Sequence, residues 1–381
     1  MSDAGGPTGP IVLAAGGTGG HLFPAQALAE ALQARGHDVV LVTDPRGDRY
    51  RATFPAREVH IVPSATIGGR DPVALARTGF RLGKGLMRSL SLLRRLKPAV
   101  LVGFGGYPTL PPLIAARLLG VRTAIHEQNA VLGRANRMLA SRVDLVATSF
   151  PEVRLLGDGN RDKAVYTGAP VRAAVKEAAG PYDAAGPNGD FRLLVFGGSQ
   201  GAKVFSDVMA DAVGLLDENH RARLKIVQQV REEDMARVAA AYEAIGVAAD
   251  IAPFFADMPA RIAASHLVVS RSGASTVAEL AVIGRPAILV PLPHAVDNDQ
   301  LLNARAMDAA GGGWLIEQNE LTPERRARDI AGRMDEPDAL AAAAKAAGRL
   351  GNDDAAGALA DAVVALARGL KPTQINSGRH S

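Results

Sequence analysis

The chain of 381 residues contains no cysteine. Disulfides and thiolate metal sites are therefore excluded, and a reducing compartment fits. Aromatic residues make up only 4% of the chain. Stacking platforms for nucleic acid are not expected, and no nucleic-acid partner is assigned. No apolar run approaches the roughly 20 residues that a spanning helix needs. The opening stretch Met1–Pro7 lacks the charged and apolar regions of a signal peptide. The expectation is a cytoplasmic protein. Acid is also missing locally: no Asp or Glu stands between Asp71 and Glu127, although net charge over the whole chain is only +4. That stretch holds Arg77, Arg81, Lys84, Arg88, Arg94, Arg95, Lys97, Arg117 and Arg122, and its first part interleaves them with apolar residues from Leu75 to Leu96. Such a basic amphipathic segment suits an anionic membrane surface. The plainer alternative is a solvated helix whose cations cluster.

What the chain does have is alternation. Short apolar runs alternate with helical patterns along its length, which predicts parallel sheets covered on both faces. Two of those runs break into glycine. Ile11–Ala15 leads into Gly16-Gly17-Thr18-Gly19-Gly20-His21, and Leu193–Phe196 leads into Gly197-Gly198-Ser199-Gln200-Gly201-Ala202. Each turn precedes a helical pattern, placed in the first case from Pro24. A strand, a glycine turn and a helix N-terminus together offer backbone N–H groups to phosphate. Two domains are predicted. Residues 9–172 form the first, joined by a C-terminal helix at 353–369. A linker covers 173–190, the second domain covers 191–352, and 370–381 is a disordered tail.

Neither turn is a good dinucleotide fingerprint. Counting from Gly17, the sixth position is Leu22 instead of glycine, although Asp44 ends the next strand and keeps an NAD reading weakly open. Nor is either a Walker A loop, because Ala202 separates Gly201 from Lys203 and Val204 replaces the hydroxyl residue.

Several polar groups follow strand ends. His21 could take a proton from an attacking hydroxyl near neutral pH, or simply cap its helix. Gly103–Pro108 is a third glycine cluster, suited to shaping a crevice or to close loop packing. His126-Glu127-Gln128-Asn129 suits sugar hydroxyls, or is a surface loop. Arg172 could face a diphosphate, or be a surface cation. Arg271–Glu279 opens a helix on small residues, with Glu279 a candidate for a ribose diol. Thr276 and Glu279 also have the spacing of a capping box. Asp297 and Asp299 could hold a metal, but N-capping explains them more simply. No metal site is assigned.

Taken together, Gly16–His21, His126–Asn129, Gly168–Arg172, Gly197–Ala202, Arg271–Glu279 and the Asp299-Gln300 region resemble the MurG family, glycosyltransferase family 28. The resemblance runs from about Ile11 to the C-terminal helix. It implies a GT-B fold: α/β, with two Rossmann-like parallel-sheet domains facing a central cleft. It implies inverting transfer of GlcNAc from UDP-GlcNAc to the 4-hydroxyl of MurNAc in undecaprenyl-diphosphate-MurNAc-pentapeptide, in cell-wall peptidoglycan synthesis. By the same resemblance, Thr18, Gly19, Gly20, Asn129, Arg172, Gly198, Ser199, Phe255, Ala274, Ser275, Thr276, Glu279, Asp299 and Gln300 bind the donor, with Phe255 bordering the uracil. Gly16, Gly17, Gly105, Gly106 and Tyr107 frame the acceptor. His21 is the candidate base and Glu127 the alternative. No tightly bound cofactor and no metal are required. The implied partners are the two substrates, the anionic inner leaflet at the cytoplasmic face of the inner membrane, and other cell-wall enzymes. Competing readings are a glycolipid glycosyltransferase or UDP-GlcNAc 2-epimerase of the same fold, or a non-catalytic nucleotide-sugar-binding module.

Overall fold

The computed structural model describes residues 8–16, 19–48, 51–65, 72–186, 188–198 and 201–377, and the side chains among them except those of 72–75 and 296. The chain divides into two compact units, one of residues up to Arg172 together with those from Asp353 onward, the other Ala173–Asn352.

In the first unit the elements run β1 (Ile11–Ala14), α1 (Gly19–Gln33), β2 (Val39–Thr43), β3 (Glu58–Ile61), α2 (Pro72–Leu96), β4 (Val100–Gly103), α3 (Leu110–Leu118), β5 (Arg122–Glu127), α4 (Arg134–Ala140), β6 (Leu145–Thr148) and β7 (Ala164–Tyr166). The second unit runs α5 (Ala173–Ala178), β8 (Phe191–Phe196), α6 (Lys203–Gly214), α7 (Glu218–Arg223), β9 (Leu224–Gln229), α8 (Met235–Ala244), β10 (Ala249–Ala252), α9 (Met258–Ala264), β11 (Leu267–Ser270), α10 (Ala274–Ile283), β12 (Ala287–Leu289), α11 (Asp299–Ala309), β13 (Gly313–Leu315), α12 (Pro323–Asp335) and α13 (Pro337–Leu350). The chain then returns to the first unit as α14 (Ala355–Ala367) and α15 (Pro372–Ser377).

Both sheets are parallel. Their strand orders are β3-β2-β1-β4-β5-β6-β7 and β10-β9-β8-β11-β12-β13. The order reverses between β1 and β4 in one and between β8 and β11 in the other. Loops leaving the carboxyl ends of such a pair diverge to opposite faces and leave a crevice. Every residue of β1 is buried because the sheet is covered twice. Ile11 and Leu13 join a cluster with Leu28 and Leu32 of α1 and Leu359 and Val363 of α14. Val12 and Ala14 point the other way, into a cluster with Leu93 of α2 and Leu113 of α3.

Two expectations are corrected. α1 begins at Gly19, not at Pro24. Proline favours a first helical turn, but here it is tolerated inside the helix, and its missing N–H withholds the usual partner from the Gly20 carbonyl. The tail is not disordered throughout, since 372–377 is helical, with Ile375 buried against the α14 face. There the Asn376 side-chain amide donates to the Ala164 carbonyl at 3.0 Å. Part of the linker is held against the second unit, where Arg285 donates to the carbonyls of Gly180 and Pro181.

One ion cluster makes stability depend on pH. His220 on α7 bridges Asp217 at 2.7 Å and Asp335, at the end of α12, at 2.9 Å. Burial works against its charge, but the hydrogen bonds to Asp335 and Asp217 outweigh it and raise its pKa. A raised folded-state pKa means that the stabilisation is complete below the unfolded value and fades as pH rises through the folded one. His220→Gln should lower the melting temperature by roughly 1–2 °C at pH 5.5 and by less at pH 9. An equal loss at both pH values in calorimetry would contradict this.

Candidate active site

In the first unit the site gathers at the β1–β4 reversal. The N-terminal turn of α1 places His21 there. Gly105 and Gly106, just after β4, lie across its imidazole. A Cβ at Gly105 would stand 3.4 Å from the ring Cε1, and one at Gly106 would stand 3.3 Å from Nε2. Both have positive φ, +82 and +72, so glycine serves backbone and packing at once. Gly16 is equally confined, between the Asp44 carboxylate and Pro108. The prolines that follow Tyr107 cause no distortion. Pro108 sits in a short 3₁₀ turn, and Pro111 and Pro112 fall in the first turn of α3, where their missing N–H groups cost nothing.

His126, Glu127 and Gln128, at the end of β5, are all buried, at 0%, 1% and 4% exposure. They are therefore not a surface loop, and they bond chiefly to protein. Glu127 Oε1 accepts from the backbone and side-chain N–H groups of Asn129, at 3.0 and 3.1 Å. Its Oε2 accepts from Gly133 N at 2.9 Å and Asn136 Nδ2 at 2.8 Å. With both oxygens occupied by four donors, Glu127 orders the turn after β5 and shapes the electrostatics beside His21. Burial lowers the His21 pKa more than the Glu127 charge and the bonds to Gln128 and the Phe104 carbonyl raise it. At neutral pH the ring is an unprotonated base with an anion nearby. His126 is pushed down to about 4 by burial. Arg172 stacks its guanidinium 4.1 Å from the Phe23 ring of α1, which brings it to the same end of the unit. Asp44, the residue that kept an NAD reading open, is tied to Arg46 and the Gly47 N–H.

In the second unit the corresponding ends are those of β8 and β11. A Cβ on Gly197 would lie 2.2 Å from the Ala202 nitrogen, so the turn closes only on glycine. Gln229 holds it by accepting from Gly197 N at 3.1 Å, while its amide donates to the Pro253 carbonyl. Gly198 follows with open space where a side chain would stand. Neither α6 nor α10 has a side-chain cap; their N-caps are Ala202 and Gly273. Ser275, in the first turn of α10, buries an Oγ that has no partner among the described residues. Because α10 opens at Gly273, Thr276 lies inside the helix and the capping-box alternative for Thr276 and Glu279 fails. Glu279 is 9% exposed.

The loop after β12 is bent through positive φ at His294, Asp297 and Asn298. Gln300 ties it down: its Oε1 accepts from Leu292 N, and its carbonyl accepts from Ser272 Oγ. Asp299 Oδ1 accepts from Gln300 N at 2.7 Å, so it does bond a helix-terminal amide. Among the described residues no group of three or more His, Cys, Asp or Glu could hold a metal ion. Phe255 is 7% exposed, with Arg261 stacked 4.1 Å from its ring, whereas neighbouring Phe254 is 71% exposed. Gly17, Thr18 and Ser199 lie outside the described residues. Sequence reasoning missed the Gln229 brace, which has no local signal, and missed that His126 and Gln128 serve His21.

Residues 11–148 match the N-terminal domain of glycosyltransferase family 28, and residues 192–359 match its C-terminal domain. The UDP-N-acetylglucosamine–N-acetylmuramyl-(pentapeptide) pyrophosphoryl-undecaprenol N-acetylglucosamine transferase of Rhizobium etli is 55% identical, over 95% of this chain and 96% of its own. The chain belongs to glycosyltransferase family 28, the MurG family. The crystal structure of Acinetobacter baumannii MurG superposes with a TM-score of 0.75 at 28% identity, covering 93% of this chain and 99% of that one. A UDP-N-acetylglucosamine 2-epimerase, with a TM-score of 0.64 over 95% of this chain and 96% of its own, is only 14% identical and shares the fold alone. The expected GT-B fold class holds, with its two parallel α/β sheets.

Proposed function

We propose that this chain is an inverting N-acetylglucosaminyltransferase. It moves GlcNAc from UDP-GlcNAc to the 4-hydroxyl of MurNAc in undecaprenyl-diphosphate-MurNAc-pentapeptide, converting lipid I to lipid II in peptidoglycan synthesis. The observation that carries this is His21, held neutral at the first sheet's reversal beside the buried Glu127 carboxylate, in a chain 55% identical to the Rhizobium etli transferase. That identity favours transfer over the epimerase and binding-module readings.

In this reading His21 takes the proton of the attacking hydroxyl as the oxygen bonds to the anomeric carbon. The bond from that carbon to the UDP oxygen breaks, and the configuration inverts in one displacement. Glu127 stabilises the imidazolium as it forms. The departing diphosphate meets backbone amides at the N-termini of α6 and α10, with Gly198 giving it access and Ser275 Oγ an added donor. Glu279 takes the ribose diol, and Asp299 and Gln300 take the sugar hydroxyls. Gly19, Gly20, Asn129 and Arg172 complete the donor contacts. Gly16, Gly105, Gly106 and Tyr107 frame the acceptor diphosphate. The same reading gives Thr18, Ser199, Phe255, Ala274 and Thr276 to the donor and Gly17 to the acceptor.

The acceptor's polyprenyl tail stays in the bilayer, so the enzyme works as a peripheral protein at the cytoplasmic face of the inner membrane. No helix among the described residues is long and apolar enough to cross a membrane. On α2, Phe80 is 74% and Met87 65% exposed, and Arg77, Arg81, Lys84, Arg88 and Arg94 are exposed along the same helix. On α3, which packs against α2, Leu118 is 65% exposed. Apolar anchors among cations fit the headgroup region of an anionic leaflet.

Radiolabelled GlcNAc transfer to a short-chain acceptor analogue tests the reading. His21→Ala should lower kcat by about 10²–10⁴-fold and leave UDP affinity nearly unchanged; wild-type turnover would remove His21 from the chemistry. Glu279→Ala should weaken UDP binding by roughly tenfold in calorimetry. A stability loss without an affinity loss would refute the ribose contact. Replacing Arg88, Arg94 and Arg95 together by Glu should cut binding to phosphatidylglycerol-containing vesicles on the order of 100-fold. Unchanged binding would rule out this docking face.

A further inference from the structure

We infer that Gln128 is a positioning residue that fixes the tautomer of His21, keeping the proton on Nδ1 and leaving Nε2 as the lone-pair nitrogen. The inference rests on the assignment of His21 as the base and deepens it. It begins with the orientation of an amide. Gln128 Nε2 lies 3.1 Å from the His126 carbonyl oxygen and 3.0 Å from His126 Nδ1. A main-chain carbonyl only accepts, so the NH₂ end must face it; the flipped amide would set oxygen against oxygen. Gln128 Oε1 is therefore the atom 3.3 Å from His21 Nδ1. It also only accepts, so that nitrogen must carry the hydrogen.

The same polarity runs back through the core. His126 Nδ1 accepts from Gln128, which leaves the His126 proton on Nε2. The Gly168 carbonyl accepts from that ring, and Ser149 Oγ stands 3.4 Å from Nε2. The order is Gly168 carbonyl, His126, Gln128, His21, and the Gln128 amide within it has only one workable direction. Main-chain carbonyls anchor it at two points. His126 and Gln128 are 0% and 4% exposed, so water does not compete for the bonds between them, and His21 at the end of the relay is half-buried. Gly105 and Gly106 lie beside the ring. One rival exists. The Phe104 carbonyl also accepts from the His21 ring, and if it took the Nε2 hydrogen the tautomer would reverse.

The experiment uses the full chain with ¹⁵N-labelled histidine at pH 8, read by long-range ¹H–¹⁵N correlation, with the His21 signals assigned by their loss in His21→Asn. The wild type should show a protonated Nδ1 and an unprotonated Nε2. Gln128→Met keeps the volume and removes the acceptor. Its His21 pattern should move toward the Nε2–H form, and kcat should fall roughly tenfold while KM for UDP-GlcNAc stays within about twofold. The acid limb of the kcat profile should also move to lower pH, because the Gln128 bond favours the imidazolium. The other charges reaching the ring are Glu127 and Arg46, and both remain. An Nε2–H signature in the wild type would overturn the inference, as would an unaltered His21 pattern in Gln128→Met. If that variant does not fold, the wild-type spectrum still decides. The spectrum is taken without acceptor, so a wrong acceptor or a different base would leave this readout intact.

Discussion

Buried main chain must have its N–H and C=O groups paired, and strand pairing meets that demand within the two sheets. At the carboxyl ends the strands stop and the connections diverge, so the pairing there has to come from turns and side chains. Glycine makes those ends usable. At Gly197 the chain doubles back so tightly that a Cβ would collide with the Ala202 nitrogen. At Gly105 and Gly106 it runs beside an imidazole at positive φ, where a Cβ would touch the ring. Continuous apolar strands covered by helices support both reversals, and α14 adds to the cover of the first.

The first unit shows how one environment can set two roles. Burial lowers the His21 pKa, while Glu127, whose charge reaches the ring, is supplied with four N–H donors. A carboxylate bonded in that way has no lone pair left for a substrate proton, but its charge still acts on the imidazole. On the proposed reading the pair divides the work: the ring takes the proton, and the carboxylate stabilises the charge that the ring acquires. This favours His21 over Glu127 as the base on geometry alone.

Much of this was legible in the sequence. The apolar runs ending at Ala15 and Phe196 announced the strands, and the glycines after them announced the turns. The Arg271–Glu279 segment read as a helix opening, but whether Thr276 was its cap or an interior residue depended on where the helix began, which propensity does not fix to three residues. His126-Glu127-Gln128-Asn129 read as polar and therefore exposed. It is buried because its members satisfy one another, and pairing of that kind leaves no trace in a single sequence. The tail was misjudged for a related reason: its composition is that of a loose end, yet Ile375 and Asn376 find partners on β7 and α14 that are distant in the chain.

The second unit raises a question about charge. An enzyme that releases a diphosphate would be expected to place arginine beside it, and Arg271 stands at the end of β11. Its guanidinium is taken up elsewhere: it donates to the carbonyls of Val290 and Pro291 and to Gln318, and is 8% exposed. It fastens the exit of β12, the same loop that Gln300 ties to Ser272. Arg285 is likewise spent on the carbonyls of Ala263, Gly180 and Pro181. Neither cation is free for a ligand; the N-termini of α6 and α10 carry no side-chain cap, and Arg231 stands against Gly201 of the glycine turn. On the proposed reading these are the groups that would meet the diphosphate, and Gln229 and Arg271 are the buried braces of the turns beside them.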